Sequence, residues 1–399
     1  MDLLRDADLL AIAPHFMYFI EDQITAIRPF LKSVTVEIPL YRFSPLIASL
    51  PYLRNRLYSM RDAIDSVESR YRYKDIEILP LRYSALPVSF FRNRRHILAA
   101  RNLLKIIKRN RLSFNILHSH FLDTPGYIGA VLKEELGTPF VVTGYGWDVY
   151  DLPFRDELHR DLARQVLHKA DQVIAVSEFT SERLLSLGVP PKKLHVVPNG
   201  YDERVFKPAS SRDARERLNL PLDRKILLSV GSLVEVKGHT YLIEAMQTIL
   251  KRREEAMLVL VGSGPLEASL RSKVNRLGLN EKILFAGKRR HEEIPTWMNA
   301  CDLLVLPSLN ESFGVVLIEA MACGKPVVGT HVGGVPELVP KNEVGILVPP
   351  RNPEALAEAI LEALNRTWDS ERIVKHAQRY SWGNVARQVL SVYKFLRNV

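Results

Sequence analysis

Cysteines and long apolar runs are scarce in this sequence of 399 residues. The two cysteines, Cys301 and Cys323, stand among apolar neighbours and are too few for a disulfide framework, which indicates a reducing compartment. No apolar run approaches the roughly 20 residues that a membrane-spanning helix needs, and the chain does not open with a charged segment followed by an apolar core. We therefore expect a cytoplasmic protein, either soluble or peripheral at the inner face of a membrane.

Two signatures of other enzyme classes are also missing. No Asp-x-Asp clamp for a divalent cation follows a predicted strand, and His118 and His120 have no third ligand at zinc spacing, so we expect neither metal nor cofactor. The glycine turn at Gly262 and Gly264 follows a predicted strand, but Glu267 stands where the dinucleotide-binding pattern needs its third glycine. A nicotinamide-dependent dehydrogenase is therefore only weakly supported.

The pattern of strands and helices predicts two α/β domains. With 47% hydrophobic residues, the chain is long enough for two cores. Buried parallel strands alternate with helices, and this alternation restarts after a turn at Pro198-Asn199-Gly200 and a polar stretch, which places a domain boundary near residue 205. The predicted strands cover 8–14, 33–38, 114–118, 140–143, 170–176, 226–230, 258–261, 283–287, 303–306, 325–330 and 345–349, and the predicted helices include 21–31, 91–109, 353–364 and 382–399.

One segment carries the net charge of +10. Residues 50–111 contain 15 Lys and Arg against 5 Asp and Glu, a surplus equal to that of the whole chain. Within this segment, residues 91–109 have apolar positions at helical spacing and a basic opposite face, with four tyrosines upstream. Such a helix either lies on an anionic membrane surface or is an ordinary solvated surface helix, and the sequence leaves both readings open. No nucleic-acid motif accompanies the charge, so we expect no nucleic-acid partner.

Two glutamates stand eight positions apart in the stretch 306–322, which reads as a strand end, a loop and a helix. Glu311 falls in the loop and Glu319 on the helix. Eight helical steps of about 1.5 Å would separate them by roughly 12 Å, whereas the carboxyl groups of a glycosidase pair lie about 5 to 9.5 Å apart. We therefore interpret them as contacts to different parts of one larger ligand.

Two loops of the second half suit an anion such as a diphosphate. After strand 226–230, Gly231 lets the backbone approach a phosphate and Lys237 offers a mobile positive charge. The other loop leads into the helix that carries Glu319, where unpaired backbone N–H groups and the helix dipole favour negative charge. These N–H groups belong to Ser312, Phe313, Gly314, Val315 and Val316.

Together these residues resemble the E-x7-E motif of the retaining glycosyltransferases of family 4, the glycosyl transferases group 1. In that family the first glutamate lies at the donor sugar and the second binds the nucleotide ribose, which assigns these roles to Glu311 and Glu319. The resemblance implies the GT-B fold, an α/β architecture of two Rossmann-like doubly wound domains that face each other across a cleft. The domains would be 1–205 on the acceptor side and 206–381 on the nucleotide-sugar side, with the helix 382–399 packing back on the first.

The resemblance also implies a donor site in the second domain. It assigns donor binding to the loops after the strands, through the residues Gly231, Ser232, Lys237, Gly262, Gly264 and Lys288, together with Glu319 and the helix start from Ser312 to Val315. Family members usually have an arginine where this chain has Ser232, so the diphosphate would be neutralised by Lys237, the helix amides and either Lys288 or Arg289. The side chains do not identify the base.

In the first domain, His120 leaves the carboxyl end of a predicted strand, where open α/β sheets bind their ligands. It matches the family's histidine that faces the donor sugar. The loop 144–148 resembles a family loop in which a histidine usually stands at the position of Tyr145, and a phenol can donate a hydrogen bond but is no base near neutral pH. Trp147 either stacks on a sugar or fills the core. The acceptor-side candidates are His15, Tyr145, Trp147 and Asp148, and for His15 the sequence favours loop packing over an acceptor contact.

The resemblance implies a retaining glycosyltransferase that needs no metal. It would move a hexosyl group from a nucleotide-diphosphate sugar to a glycan, a lipid-linked or a small-molecule acceptor, with Glu311, His120 and Lys237 as catalytic candidates. Lys237 and the helix start would stabilise the charge on the leaving group. A nucleotide-sugar epimerase or a phosphorylase of the same fold remains an alternative, and a basic nucleic-acid-binding protein is the alternative from another class.

Overall fold

The computed structural model describes residues 4–13, 18–42, 75–84, 95–340 and 343–396. The chain divides into two compact units. Unit 1 comprises Met1–Pro198 and Ala386–Val399, and unit 2 comprises Asn199–Val385. The division falls between Pro198 and Asn199, whereas the sequence places it near residue 205. Each unit is an α/β domain built on one parallel sheet, as the alternation of strands and helices predicts.

Unit 1 is built on a seven-stranded parallel sheet in the order β3-β2-β1-β4-β5-β6-β7. This order reverses next to β1, as in the doubly wound sheets of dinucleotide-binding domains. Continuous apolar stretches form the central strands because helices cover both faces of a parallel sheet. The strands are β1 Asp8–Ile12, β2 Ser33–Arg42, β3 Glu77–Ser84, β4 Ile116–His120, β5 Phe140–Gly144, β6 Gln172–Ala175 and β7 Leu194–Val196.

The helices of unit 1 follow its strands. In the described residues they are α1 Tyr18–Ile27, α2 Arg95–Asn110, α3 Thr124–Leu136, α4 Trp147–Tyr150, α5 Glu157–Lys169 and α6 Glu178–Ser186. The predicted helix 91–109 thus begins at Arg95 within the described part, and residues 91–94 lie outside it. The register of the parallel strands places His120 opposite Thr143 and Ile12 opposite Ser119.

The strand β3 was not predicted. Its sequence, Glu77–Ser84, has polar residues at several positions, contains Pro80 and lies inside the basic segment. Proline lacks the N–H that a central strand uses on both sides, but an edge strand tolerates it. Among the strands that the structure describes, β3 occupies the edge of the sheet and pairs with β2 alone.

Unit 2 repeats the architecture with a six-stranded parallel sheet in the order β10-β9-β8-β11-β12-β13. The strands are β8 Lys225–Val230, β9 Ala256–Val261, β10 Ile283–Gly287, β11 Leu303–Leu306, β12 Val327–Thr330 and β13 Gly345–Val348. The helices are α7 Ser211–Arg217, α8 His239–Arg252, α9 Glu267–Arg276, α10 Ile294–Ala300, α11 Val315–Ala322, α12 Val335–Leu338, α13 Pro353–Asn365 and α14 Ser370–Ala377. The strand order reverses between β8 and β11, and ligands of open α/β sheets bind at such a switch point.

The last helix, α15 Trp382–Phe395, begins in unit 2 and ends in unit 1. Cys301 and Cys323 are free and buried, and burial raises the pKa of both thiols to about 12, so they are unreactive core residues. None of the helices in the described residues is both long and apolar enough to cross a bilayer.

Candidate active site

The loops that follow β8 and β11 meet at the switch point of unit 2. The two strands are parallel neighbours, so residues 231–238 and 307–314 leave the same edge of the sheet. The N–H of Leu309 donates to the carbonyl oxygen of Val236 at 2.7 Å. Gly238 has a φ of +66°, and a Cβ there would overlap the carbonyl oxygen of Pro307. The loops therefore contact each other through their backbones and require glycine at position 238.

An ion pair joins these two loops. The Nζ atom of Lys237 lies 2.5 Å from Oε2 of Glu311, and the Ser308 hydroxyl donates to the same oxygen at 3.2 Å. The two charged side chains retain 26% and 12% of their exposure, so solvent still reaches the pair. The structure thus brings together two residues that the sequence predicts to touch different parts of one ligand.

A third loop fixes the backbone of Glu311. Its carbonyl oxygen accepts the N–H of Gly334 at 3.1 Å. Gly333 has a φ of +51°, and a Cβ there would overlap that oxygen. The loop after β12 therefore packs directly on the residue that pairs with Lys237.

The start of α11 lies beside the ion pair in sequence. Gly314 precedes the helix with a φ of +95°, and no side chain caps the helix N-terminus. The N–H of Leu317 donates to the Gly314 carbonyl oxygen at 2.9 Å, and the N-terminal end of a helix concentrates positive potential. Phe313 is buried and packs edge-on against Tyr380, with ring centroids 5.9 Å apart, whereas Ser312 and Val315 are half-buried. Phe313 thus anchors the loop, while the helix start is available for an anion.

Glu319 lies on the buried face of α11 and is held by a histidine. His291 Nε2 is 2.9 Å from Glu319 Oε1, and the ring of Phe206 lies 5.1 Å from the His291 ring. The sequence analysis did not single out His291 or Phe206. The only signal was the position of His291 at the end of the basic tract after β10.

The remaining donor-side glycines have different surroundings. A Cβ on Gly231 would lie 3.9 Å from the Lys237 stem, an ordinary contact, and Ser232 beside it is exposed. By contrast, Gly262 has a φ of +150°, and a Cβ there would overlap the Gly231 carbonyl oxygen; one on Gly264 would crowd the Leu233 carbonyl oxygen. Packing against the neighbouring loop therefore accounts for Gly262 and Gly264 without any ligand.

Lys288 is exposed at the end of β10 in a row of three basic residues. The next two already have partners: Arg289 stacks 5.3 Å from the Trp297 ring and Arg290 binds Glu293 at 3.3 Å. Within the described residues, no hydrogen bond or ion pair connects Lys288 to the loop 231–238.

His239 is a second histidine that the sequence analysis missed. It directly follows Gly238 at the start of α8 and is buried, and its Nδ1 has no hydrogen-bond partner. Burial, and secondarily the charge of Lys237, lowers the pKa of His239 to about 4, so the imidazole is neutral at physiological pH. It therefore adds no positive charge to the site.

In unit 1, His120 belongs to a buried cluster. Its Nδ1 lies 2.7 Å from the Tyr145 hydroxyl, and its ring stacks on His118 with centroids 4.2 Å apart. His118 Nδ1 lies 2.7 Å from the Tyr393 hydroxyl on α15, and its Nε2 lies 2.8 Å from the Thr143 hydroxyl. His120 Nε2 is buried, and no described residue forms a hydrogen bond with it.

Both histidines of this cluster are neutral. Burial lowers the pKa of His118 to about 3, and burial together with the adjacent His118 lowers the pKa of His120 well below its ordinary value of 6.5. A neutral imidazole has one donor and one acceptor nitrogen. In the described residues, no group of three His, Cys, Asp or Glu side chains is arranged to hold a metal ion.

The acceptor-side candidates are placed differently from one another. Asp148 is fully buried, and its carboxylate accepts the backbone N–H groups of Gly146 at 2.7 Å, Leu122 at 3.1 Å and Tyr145 at 3.2 Å. Its carboxylate organises its own loop, and burial raises its pKa to about 7. Trp147 is 42% exposed and so does not fill the core. His15 lies outside the described residues.

Comparisons with known proteins agree for both halves of the chain. Residues 210–380 match the family model described as Glycosyl transferases group 1. Residues 59–205 match the model described as Glycosyltransferase Family 4.

Individual relatives cover most of the chain. The D-inositol 3-phosphate glycosyltransferase of Corynebacterium glutamicum (strain R) is 30% identical over 315 residues, which cover 73% of this chain and 74% of the relative. An uncharacterized glycosyltransferase of Methanocaldococcus jannaschii is 32% identical over 295 residues, covering 70% and 75%.

Solved structures are similar over nearly the whole chain. The structure of Anabaena Alr3699/HepE in complex with UDP matches with a TM-score of 0.76 at 19% identity, covering 97% of this chain and 99% of that one. The sucrose-phosphate synthase of Thermosynechococcus elongatus matches with a TM-score of 0.75 at 24% identity, covering 98% and 99%. At these identities the likeness shows the fold alone, which is the GT-B fold of two Rossmann-like domains.

Proposed function

Because this chain belongs to the group 1 glycosyl transferases of glycosyltransferase family 4, we propose that it transfers a hexosyl group from a nucleotide-diphosphate sugar with retention of configuration. The acceptor is a hydroxyl group of a glycan, a lipid-linked or a small-molecule compound. The observation that carries the proposal is the Lys237–Glu311 pair at the switch point of unit 2, next to the uncapped start of α11. A cation, a carboxylate and the positive end of a helix there match the phosphate and hydroxyl groups of such a donor.

The negative charge of the leaving diphosphate explains why Lys237 and the start of α11 lie at this site. During transfer, the bond between the anomeric carbon and the phosphate oxygen breaks, and its electron pair stays on the diphosphate. The acceptor oxygen bonds to the same face of the anomeric carbon, and the acceptor proton passes to the leaving phosphate oxygen. Positive charge that is already in place stabilises the diphosphate as its charge develops. Lys237 and the N–H groups at the α11 start supply that charge, and Ser232 contributes a neutral hydroxyl.

The two glutamates bind the two ends of the donor, which are the sugar and the nucleoside. Glu311 accepts hydrogen bonds from hydroxyl groups of the sugar, and Glu319 accepts them from the nucleotide ribose. Two observations support this division. Glu311 pairs with the phosphate-side Lys237, while Glu319 lies eight positions later, on the buried face of α11, where it contacts His291.

The first ligands to test follow from the related proteins. The Anabaena HepE protein has been solved with UDP and with UDP-glucose, and the Corynebacterium relatives are named for D-inositol 3-phosphate. UDP-glucose is accordingly the first donor, and D-inositol 3-phosphate the first acceptor, in a panel of nucleotide-sugars and hydroxyl compounds.

The proposal extends to an anionic membrane surface as a partner. On α2, the buried positions Leu103 and Ile107 alternate with an exposed basic face made of Arg101, Lys105, Lys108 and Arg109. A basic face of this kind is attracted to anionic lipid headgroups. The rest of the basic segment, residues 50–74 and 85–94, lies outside the described residues.

The decisive experiment measures release of nucleoside diphosphate from the donor panel, with and without acceptor. We expect Lys237→Ala and Glu311→Ala each to lower acceptor-dependent release by about 100-fold, the usual cost of one charge-stabilising group. Lys273→Ala is the matched control, because Lys273 is also a half-buried lysine of unit 2 paired with a carboxylate, that of Glu244. Undiminished turnover in the first two variants would contradict the proposal.

The same assay separates the alternative enzymes. A nucleotide-sugar epimerase would convert the donor without acceptor and without net release of nucleotide. A phosphorylase would require orthophosphate. If release of nucleoside diphosphate requires an acceptor hydroxyl and does not change with orthophosphate, the epimerase and the phosphorylase are both excluded.

A further inference from the structure

A cavity of about 610 Å³ lies within unit 1. One face of α3, the last turns of α5 and the loop 187–193 that leads to β7 surround it. The α3 residues that line it, such as Tyr127, Ala130 and Val131, share one helix face since they are three and four positions apart. Its volume is within the range of pockets that bury most of a drug-sized ligand. The cavity is therefore large enough to bind an organic compound.

The cavity reaches the edge of the sheet that is opposite to His120 and Tyr145. Lys169 ends α5 shortly before β6, and Lys193 directly precedes β7, so both line the cavity at the amino ends of strands. His120 and Tyr145 stand instead at the carboxyl ends of β4 and β5. The five residues of β5, at about 3.3 Å each, separate the two edges by roughly 15 Å. The cavity and the acceptor-side candidates are thus separate places on unit 1.

The walls of the cavity are mostly apolar and include one aromatic ring. Leu167 and Leu187 are buried, and Tyr127 is half-buried, with the His96 ring 5.6 Å from its own ring. Because aromatic rings stack well on one another, a flat ring that enters the cavity can pack against Tyr127. The apolar lining comprises Tyr127, Ala130, Val131, Leu167, Leu187 and Pro190.

The charged side chains of the lining differ in whether they already have partners. Lys169 forms an ion pair with Glu134 at 3.2 Å. Lys193 donates to the carbonyl oxygen of Ala170 at 2.8 Å, which offsets the negative end of α5. Arg164 is exposed, and among the described residues no hydrogen bond or ion pair involves it. The cavity therefore offers one uncommitted positive charge beside an apolar wall.

We propose that this cavity binds an aromatic compound with a single negative charge, whose ring packs on Tyr127 and whose carboxylate or sulfonate binds Arg164. The planar guanidinium of an arginine pairs with such a group through two parallel hydrogen bonds. An aliphatic acid has the same charge but no ring to pack on Tyr127, so it fits the lining less well. This site is separate from the donor and acceptor sites and does not depend on the proposed function.

Fluorescence titration of the full-length protein with anilinonaphthalene sulfonate tests this site. The control dye, phenylnaphthylamine, has the same rings but no charge. We expect one sulfonate-dye site whose affinity falls as ionic strength increases, because Arg164 is exposed to solvent. Arg164→Ala should weaken binding of the sulfonate dye by about 5-fold, the effect of one solvent-screened charge, and leave the uncharged dye unaffected.

A matched variant controls for a general effect of charge. Arg276→Ala removes an exposed arginine at the end of α9 in unit 2 and should change the affinity of neither dye. If the sulfonate dye bound Arg164→Ala as tightly as the wild type, the proposal would be overturned.

Val131→Phe tests the walls of the cavity. Val131 is half-buried and lines the cavity, so a phenyl ring there would occupy space that the ligand needs. Both dyes should therefore lose affinity in this variant, whereas Arg164→Ala affects only the charged dye. Unchanged affinity for both dyes in folded Val131→Phe would place their binding outside the cavity and refute the proposal.

Competition identifies the class of ligand. Naphthoate, an aromatic acid, should displace the sulfonate dye, whereas decanoate, an acid with an alkyl chain, should not. Displacement by decanoate alone would assign the cavity to an acyl chain and contradict the aromatic class. UDP, which the proposed function places on unit 2, should not displace the dye. Displacement by UDP would show that the dye occupies the donor site, and it would overturn the cavity assignment while leaving the proposed function intact.

Discussion

The Lys237 ammonium and the Glu311 carboxylate lie 2.5 Å apart, although 74 positions separate them in the chain. Their contact depends on β8 and β11 being neighbours in the sheet. Each charge neutralises the other, so a diphosphate that binds Lys237 competes with Glu311 for the same ammonium group. Before a ligand binds, the charges of Lys237 and Glu311 therefore cancel each other.

This competition predicts opposite effects on binding and on turnover. In Glu311→Gln, Lys237 no longer has an anionic partner, so UDP alone should bind about 3- to 10-fold more tightly, the effect of one partly screened charge. Turnover of the nucleotide-sugar should nevertheless fall by about 100-fold. Calorimetric titration with UDP and the release assay measure the two effects. Lys237→Met, the control with the opposite sign, should weaken UDP binding, and tighter binding in that variant would contradict the assignment.

The His291–Glu319 pair predicts a ribose-dependent defect. His291 orients the buried carboxylate of Glu319, so His291→Ala should weaken binding of UDP by about 10-fold, the equivalent of one charge-assisted hydrogen bond. The loss should be much smaller for 2′-deoxy-UDP, which lacks one of the ribose hydroxyls. Arg290→Ala, an exposed neighbour, serves as the control. Equal losses for both nucleotides would place His291 outside ribose recognition.

Glu37 on β2 predicts how stability changes with pH. It is completely buried, neither of its carboxylate oxygens has a hydrogen-bond partner among the described residues, and burial raises its pKa well above the ordinary 4.5. The folded state therefore binds its proton more tightly than the unfolded state does. The stability that results is complete below pH 4.5 and is lost as the pH rises toward the folded pKa, by at most about 1.4 kcal/mol per pH unit.

Glu37→Gln should remove this dependence. Urea unfolding at several pH values between 4 and 8.5 should show the variant gaining stability over the wild type as the pH rises. Glu77→Gln, on the exposed surface of the neighbouring strand, should follow the wild type. A constant difference between Glu37→Gln and the wild type across this range would show that Glu37 does not titrate as burial requires.

In the proposed mechanism, Lys237 and the start of α11 supply the positive charge that stabilises the leaving group, so chelation should have little effect. We expect EDTA to change kcat/KM of the purified protein by less than about 2-fold, well below the cost of removing a catalytic charge. Loss of turnover that added Mg²⁺ or Mn²⁺ restores would contradict this prediction.

The basic face of α2 predicts salt-sensitive binding to anionic vesicles. The protein should sediment with vesicles that contain phosphatidylglycerol but not with pure phosphatidylcholine, and binding should decrease as ionic strength increases. The double variant Lys105→Glu and Lys108→Glu should bind more weakly. Absence of binding at every salt concentration would reject this partner.

Sequence analysis predicted most of the fold for a clear reason. Central parallel strands are buried on both faces and appear as continuous apolar runs, such as residues 9–13 and 303–306. β3 escaped because an edge strand that contains Pro80 carries no such run. The restart of the alternation at β8 was visible because the connecting stretch is polar and rich in turn residues.

The site was only partly predictable. Lys237 and Glu311 were identified one by one, but their contact depends on the pairing of β8 with β11, which no local pattern reveals. His291 was missed because its partner Glu319 lies on another element. Asp148 was read as a residue that faces a ligand, whereas its carboxylate accepts amides of its own loop. In the sequence, a carboxylate that faces a ligand and one that binds backbone amides both appear as a charged residue beside glycines.

The backbone contacts at Gly238, Gly262 and Gly333 have a consequence for the evolution of this site. The shape of the donor loops is held by main-chain atoms, so the side chains on those loops are free to change without remodelling them. The exposed Ser232 is one such side chain. New donor preferences can therefore arise by single substitutions on an unchanged framework, while replacement of any of these three glycines removes the framework itself.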